Sequence, residues 1–220
     1  MSLWIKICGN TSAEDALLAA EAGADAVGFV FAPSPRQVTV ERVAAIVPHL
    51  PRKIEKIGVF VDASFEEIAT AVQACSLTGV QLHCDARLEV PARLRQQFGP
   101  DLRILRVVHF ESGAPDRVRA IASDHEVDAV LVDSRTATAV GGTGVTFDWE
   151  SARRDLFKGP SAQVKLIAAG GLRPTNVADA IRILRPWGVD VASGVEASPG
   201  RKDPEKVRQF VTNARALTLA

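Results

Sequence analysis

The stretch from Val164 to Gly171 reads VKLIAAGG, a short apolar run that ends in two glycines. The run, Val164–Ala168, lacks the alternation of polar and apolar residues that marks a half-exposed strand, so it predicts a strand covered on both faces. Seven more runs share this character: Leu3–Cys8, Ala26–Phe31, Lys56–Val61, Gly79–His83, Leu102–Val108, Ala129–Val132 and Val189–Ala192. Together the eight runs predict a parallel sheet.

The segments between these runs carry helical spacing and helix start signals. Thr11 with Glu14 and Ser64 with Glu67 are candidate capping boxes, and Asp203 precedes a proline suited to the first helical position. Eight strands that alternate with helices form either a closed barrel or an open doubly wound sheet. No composition shift or linker divides the chain, and we predict an α/β fold with one compact (β/α)8 barrel of the TIM type over residues 1–220.

The composition is that of a globular chain, with 47% hydrophobic and 24% charged residues. The 26 basic and 26 acidic residues give a formal net charge of zero, which argues against nucleic acid as a partner. No apolar run approaches the roughly 18 residues of a membrane span, and the N-terminus has no signal-peptide pattern. The three cysteines fit no zinc spacing, and we expect a cytoplasmic protein without a metal.

Active sites of such barrels lie at the carboxyl ends of the strands. The polar and glycine residues at the predicted strand ends should therefore meet on one rim: Cys8–Asn10, Ser34–Arg36, Asp62, His83–Asp85, His109, Asp133–Arg135, Gly170–Gly171 and Ser193–Gly194. We assign no role to Asp62 or His109. Cys75 falls on the apolar face of the third predicted helix, which predicts a core residue without chemistry.

Two glycine-bearing turns follow the seventh and eighth predicted strands. They are Gly170-Gly171 and Ser193-Gly194, and in many barrels these two loops bind phosphate through backbone N–H groups. Each turn alone is equally typical of a tight turn, but the pair at these two strands indicates a phosphorylated small-molecule ligand. A third glycine cluster, Gly141–Gly144, lacks the lysine and hydroxyl residue of a P-loop and predicts a loop that could cover the phosphate.

Short motifs occur along nearly the whole chain in the order found in one known protein family. The chain opens with Lys6-Ile7-Cys8-Gly9 and closes with a long motif, Gly188–Glu196. Between them, in family order, lie Gly23–Asp25, Gly28-Phe29, Ser34–Arg36, Gly58–Val61, Val80–His83, Val132–Ser134, Gly141–Gly144, Phe147–Trp149, Ala169–Leu172 and Asn176-Val177. Pro199-Gly200 and Lys202-Asp203 follow the closing motif. Each motif is short, but in their joint order they specifically resemble the phosphoribosylanthranilate isomerase family of tryptophan biosynthesis.

The resemblance implies an Amadori rearrangement that needs no metal or cofactor. N-(5-phosphoribosyl)anthranilate would become 1-(2-carboxyphenylamino)-1-deoxyribulose 5-phosphate. A general acid protonates the furanose ring oxygen, so that the ring opens to a Schiff base. A general base then removes the proton from the sugar C2, giving an enolamine that settles as the ketone.

The same resemblance assigns roles to particular residues of this sequence. Asp133 would be the general acid and Cys8 the general base. Arg36 would bind the anthranilate carboxylate through two parallel hydrogen bonds. Asp190 would lie near the anthranilate amine, and His83 would line the pocket. A thiolate base needs a nearby positive charge, and Lys6, two residues earlier on the same strand face, is the candidate to lower the Cys8 pKa.

Cys84 departs from the family pattern, since it stands where the family usually has glycine. Its side chain would border the pocket, which puts the substrate and the role of His83 in question. Two rivals remain: a related phosphosugar isomerase or lyase of the same barrel type, and a non-catalytic phosphosugar-binding barrel. The sequence leaves open whether the chain is a monomer or a homodimer.

Overall fold

The computed structural model describes residues 3–83, 89–111, 113–133, 148–158 and 164–216. Eight parallel strands close into a barrel in chain order, which confirms the predicted fold. The strands are β1 (Trp4–Ile7), β2 (Ala26–Val30), β3 (Glu55–Val61), β4 (Gly79–His83), β5 (Arg103–His109), β6 (Ala129–Asp133), β7 (Lys165–Ala169) and β8 (Gly188–Val191). Closure is complete because β1 pairs with β8, with Lys6 opposite Asp190.

Helices surround the barrel between the strands. They are α1 (Ala13–Glu21), α2 (Val40–Ile46), α3 (Phe65–Ala74), α4 (Glu89–Phe98), α5 (Ala114–Ala122), α6 (Trp149–Ala152), α7 (Val177–Leu184) and α8 (Pro204–Ala216). Short 3-10 helices follow at Val47–His49 and Ser193–Val195, and α6 continues as a π-helix at Arg153–Phe157. A small antiparallel hairpin, β9 (Glu196–Ser198) and β10 (Arg201–Lys202), lies between β8 and α8.

The helix caps agree with the sequence except at α1. Ser64 and Glu67 form the predicted capping box of α3, and Asp203 accepts hydrogen bonds from the first backbone amides of α8. The predicted box of Thr11 is wrong, because Ser12 caps α1 instead. The Thr11 hydroxyl donates to the carbonyl of Gly200 at 2.7 Å, so it is committed to the β9–β10 hairpin.

Apolar side chains fill the barrel at its amino-terminal end. One buried cluster draws on six of the eight strands and includes Trp4, Ile57, Leu131 and Ile167. Trp4 also stacks on Trp187, with ring centroids 5.3 Å apart. A larger cluster packs the outer strand faces against the helices, and Cys75 belongs to it, as predicted. Because side chains alternate along a strand, Lys6, Gln81, Asp133 and Asp190 share the inward face, toward the carboxyl ends.

Candidate active site

A buried ammonium lies at the centre of the polar layer above the apolar fill. The Lys6 side chain is 0% exposed, and its Nζ donates to Asp190 Oδ1 at 2.7 Å and to Gln81 Oε1 at 2.8 Å. Burial favours the neutral amine, but the negative charges of Asp190 and of ionised Cys8 outweigh it and raise the pKa of Lys6. Lys6 is therefore a cation held between β1, β4 and β8.

Cys8 comes directly after β1 and is buried beside this ammonium. Its backbone N–H donates to the carbonyl of Val191 at 2.8 Å, which fixes it to the last residue of β8. Burial raises the pKa of the Cys8 thiol, and Lys6 and Lys202 oppose the rise while Asp190 adds to it. Lys6 thus acts in the expected direction, but burial prevails, so the pKa of the Cys8 thiol lies above its ordinary value.

Asp133 is the last residue of β6 and is 2% exposed. It stands opposite His109 of β5 and Ala169 of β7 in the strand register. Leu131, two residues earlier, belongs to the cluster inside the barrel, so the Asp133 side chain is on the inward face. Cys8 and Asp133 thus stand at the carboxyl ends of two strands on one rim, as predicted.

Two hydrogen bonds connect Lys6 to His83 through the side-chain amide of Gln81. Gln81 Oε1 accepts from the ammonium, so the amide nitrogen faces His83, with its Nε2 2.9 Å from the imidazole Nε2. An amide nitrogen only donates, hence His83 Nε2 is the acceptor and the ring proton sits on Nδ1. His83 also lies 6.3 Å from the His109 ring, centroid to centroid, so it lines the mouth of the barrel.

Arg36 is held in place by the carboxylate of Glu196, to which the sequence analysis gave no role. Its Nε and Nη2 donate to the two oxygens of Glu196 at 2.8 and 2.6 Å. Lys202 Nζ joins the same carboxylate at 3.2 Å and also donates to the carbonyl of Cys8 at 2.6 Å. Burial works to raise the pKa of Glu196, but the two cations together outweigh it and hold the pKa below its ordinary value. Gly9 permits the arrangement, because a β-carbon there would lie 2.6 Å from the Arg36 side chain.

The two predicted phosphate turns pack directly on one another. Gly170 and Gly171 have φ of 80° and 64°, a backbone conformation that glycine adopts freely. A β-carbon on Gly194 would lie 1.8 Å from the carbonyl oxygen of Leu172, so only glycine allows the turns to meet. Ser193 and Gly194 begin the short 3-10 helix that follows β8.

Asn176 fixes the first of these turns, and sequence reasoning gave it no role in the site. Its amide nitrogen donates to the Gly171 carbonyl at 3.1 Å, and its amide oxygen accepts from the backbone N–H of Arg173 at 2.8 Å. Asparagine is a common turn residue because its amide pairs with nearby backbone in this way. A polar residue five positions after a glycine turn was therefore the only available signal.

Several sequence predictions fall outside the described residues. They are Cys84 and Asp85, Ser134 and Arg135, and the glycine cluster Gly141–Gly144. In the described ranges, His, Cys, Asp and Glu side chains form no group of three suited to a metal ion. Nor does any helix in those ranges have the length and apolar character to cross a membrane.

Comparison with known proteins agrees with this geometry. A family model described as N-(5'-phosphoribosyl)anthranilate (PRA) isomerase matches residues 5–213. The curated proteins named N-(5'-phosphoribosyl)anthranilate isomerase from Trichlorobacter lovleyi and Pelobacter propionicus are 41% and 43% identical over 212 residues, 96% of this chain and 97% and 95% of theirs. The crystal structure of phosphoribosyl anthranilate isomerase from Thermotoga maritima is 36% identical, with a TM-score of 0.84 over 97% of this chain and 99% of that one.

A second solved structure carries a ligand. It is a phosphoribosyl anthranilate isomerase in complex with reduced 1-(o-carboxyphenylamino)-1-deoxyribulose 5-phosphate, 33% identical to this chain. Its TM-score is 0.81, over 97% of this chain and 99% of that one.

Proposed function

The chain belongs to the N-(5'-phosphoribosyl)anthranilate (PRA) isomerase family, and we propose that it isomerises N-(5'-phosphoribosyl)anthranilate to 1-(2-carboxyphenylamino)-1-deoxyribulose 5-phosphate in tryptophan biosynthesis. One observation carries the proposal beyond the family match. A buried thiol and a buried carboxyl, Cys8 and Asp133, stand on one rim with a held guanidinium and a glycine-built double turn. An Amadori rearrangement of a phosphorylated, carboxylated substrate needs this set of groups.

Asp133 gives its proton to the ring oxygen of the ribose in the first step. The ring C–O bond breaks, and the nitrogen lone pair forms the C=N bond of the Schiff base. The position at the end of β6, on the inward face and 2% exposed, supports this role. A carboxyl group shielded from water transfers its proton to a bound oxygen rather than to solvent.

Cys8 removes the proton from the sugar C2 in the second step. The electron pair of the C2–H bond forms the enolamine double bond, and the Schiff-base nitrogen becomes neutral. The enolamine then takes a proton at C1 as the C2 hydroxyl loses one, which gives the ketone. The burial of Cys8 at the end of β1, next to the Lys6 ammonium, supports this role.

Arg36 binds the anthranilate carboxylate. Glu196 occupies the Nε and one hydrogen of Nη2, which leaves the fork between Nη1 and Nη2 for a second carboxylate. Lys202 offsets the charge of Glu196, so the cluster of the three side chains keeps one positive charge for the substrate.

The remaining substrate contacts come from the turns and from the polar layer. Gly170, Gly171, Ser193 and Gly194 bind the phosphate through backbone N–H groups. Asp190 and His83 line the pocket near the anthranilate amine, and Asp190 does so while paired with Lys6.

We also propose that residues 1–220 act as one domain in the cytoplasm, without a metal or cofactor, as a monomer or homodimer. One solved relative is described as monomers generated from the dimeric enzyme of Thermotoga maritima, which supports keeping both states open for this chain. Sedimentation velocity on the purified chain decides between them.

A fluorescence assay that follows the loss of phosphoribosylanthranilate tests the function. Cys8→Ser and Asp133→Asn should each abolish or severely depress turnover while binding of the reduced product analogue persists. Cys75→Ser is the matched control for the thiol, since Cys75 is a buried core residue that hydrogen-bonds the Val40 carbonyl. Asp116→Asn, at an exposed aspartate of α5, is the control for the carboxylate.

Either active-site variant with near wild-type turnover would show that the roles are wrong. An inactive wild-type chain that still binds the product analogue would favour a non-catalytic phosphosugar-binding barrel. Turnover of another phosphosugar in its place would favour the related isomerase.

A further inference from the structure

Lys6 is among the largest fully buried side chains of the described chain. A fully buried ammonium is unfavourable unless it is paired and hydrogen-bonded. Asp190 and Gln81 accept two of its three N–H donors, at 2.7 and 2.8 Å. The third N–H of the Lys6 ammonium remains to be assigned an acceptor.

The Cys8 sulfur lies close enough to the ammonium to interact with it. Cys8 and Lys6 are two residues apart on one face of the barrel, and Gly28 of β2 lies beside both. A β-carbon placed on Gly28 would be 2.6 Å from Cys8 Sγ and 3.0 Å from Lys6 Cε, so the sulfur and the end of the lysine side chain flank the same point. Asp190 stands opposite Lys6 in the strand register, which holds the ammonium from the other side.

We propose that Lys6 is a positioning residue whose ammonium stabilises the thiolate of Cys8, and that Asp190 and Gln81 fix the ammonium for this purpose. A thiolate inside a protein requires a counter-charge because burial otherwise keeps the thiol neutral. Lys6 acts through Cys8 and touches no substrate in this role. The inference deepens the proposed function and rests on it for its purpose, but the ionisation it describes is a property of the free protein.

Three charged groups act on Cys8: Lys6 and Lys202 lower its pKa, and Asp190 raises it. The opposite effects of Lys6 and Asp190 make the proposal testable. Removal of the Lys6 charge raises the pKa of Cys8, because the thiolate loses its counter-ion. Asp190→Asn keeps an oxygen that can accept from the Lys6 ammonium and removes only the negative charge. It should therefore lower the pKa of Cys8, because the thiolate loses a repelling neighbour. General damage to the packing would shift both variants in the same direction.

Thiolate absorbance in the ultraviolet measures the ionisation directly, without substrate. Each protein is titrated together with its own Cys8→Ser counterpart, and the difference curve contains Cys8 alone. Lys6→Met should shift the midpoint upward by about one pH unit or more, and Asp190→Asn should shift it downward. Lys165→Met, which removes a lysine at the opposite end of the barrel, is the charge-matched control and should leave the midpoint in place.

Lys6→Met leaves Asp190 unpaired in a buried position, so it could fail to fold. The double variant Lys6→Met/Asp190→Asn removes both charges. Its midpoint should lie above that of the wild type and below that of Lys6→Met, because Lys6 has the larger effect on Cys8. Equal midpoints in the wild type and the lysine variants, or an upward shift in Asp190→Asn, would overturn the proposal.

Steady-state kinetics separates this proposal from the proposed function. In Lys6→Met the limb of kcat/KM against pH that reports the ionisation of Cys8 should move with the Cys8 midpoint. If the midpoints shift as expected while Cys8→Ser keeps full turnover, the assignment of Cys8 as the base fails and the pairing of Lys6 with Cys8 stands. If Cys8→Ser is inactive but the midpoints do not respond to Lys6, the function stands and this inference fails.

Discussion

Replacement of Gly28 by alanine should damage catalysis without any change to a reacting group. The new β-carbon would lie 2.6 Å from Cys8 Sγ and 3.1 Å from Cys8 Cα. Non-bonded carbon and sulfur atoms need at least about 3.5 Å, so the thiol must move by roughly 0.9 Å. A displacement of about 1 Å at a reacting group lowers the rate by about a hundredfold, which corresponds to about 2.7 kcal/mol in the activation free energy.

The assay is steady-state kinetics on Gly28→Ala together with thermal unfolding. We expect a kcat about a hundredfold lower, a KM within about threefold of the wild type, and a free energy of unfolding lower by about 1–3 kcal/mol from overpacking. Gly58→Ala is the matched control, since its β-carbon would meet Leu77 and Phe60 at 2.7 Å, in the outer packing and away from Cys8. It should lose similar stability and keep its kcat. A wild-type kcat in Gly28→Ala, or equal loss of kcat in both variants, would refute the reasoning.

Three further predictions concern the residues that hold the site in place. Glu196→Gln weakens the clamp on Arg36, and KM should rise about tenfold with kcat within about twofold; a lower kcat at constant KM would contradict this in steady-state kinetics. The pKa of Glu196 is lower in the folded protein than in the unfolded chain, where it is about 4.3. The carboxylate therefore stabilises the fold above about pH 4.3, and this stabilisation is lost as the pH falls through the pKa of the folded protein. Urea unfolding between about pH 5 and pH 3 should therefore show a flatter loss of stability in Glu196→Gln than in the wild type, and parallel curves would exclude the coupling. Asn176→Ala frees the turn at Gly171, and inhibition by inorganic phosphate should weaken about fivefold with kcat unchanged; unaltered inhibition would mean that Asn176 does not shape the phosphate site.

The barrel and the rim were predictable from the sequence because they depend on local patterns. A run of apolar residues without alternation marks each parallel strand, and a parallel barrel brings all carboxyl ends to one rim. Cys8 and Asp133 could therefore be placed together although they lie 125 positions apart in the sequence. The glycines at 170, 171 and 194 were predictable for the same reason, since turns after strands have a restricted chemistry.

The residues that hold the site could not be predicted, because their partners are remote and no local pattern identifies them. Glu196 pairs with Arg36 across 160 positions, and it does so from a hairpin that a regular barrel does not require. Gln81 falls in the middle of an apolar run, where its contact with Lys6 leaves no trace in the spacing. Thr11 misled the capping prediction because its hydroxyl bonds to Gly200, a contact that exists only once the hairpin is folded.

The two ends of the barrel interior differ in polarity, which indicates that the buried charges serve a ligand rather than the fold. At the amino-terminal end the inward side chains include Trp4, Ile57 and Leu131, which close the core by apolar packing. At the other end the pair of Lys6 and Asp190 takes the same inward positions, although a buried ion pair contributes little or nothing to stability compared with apolar residues of similar size. If stability alone had set these positions, both ends would be apolar. The apolar double variant Lys6→Met/Asp190→Leu should therefore unfold at least as high in temperature as the wild type, and its losses should appear in the titration of Cys8 and in kcat.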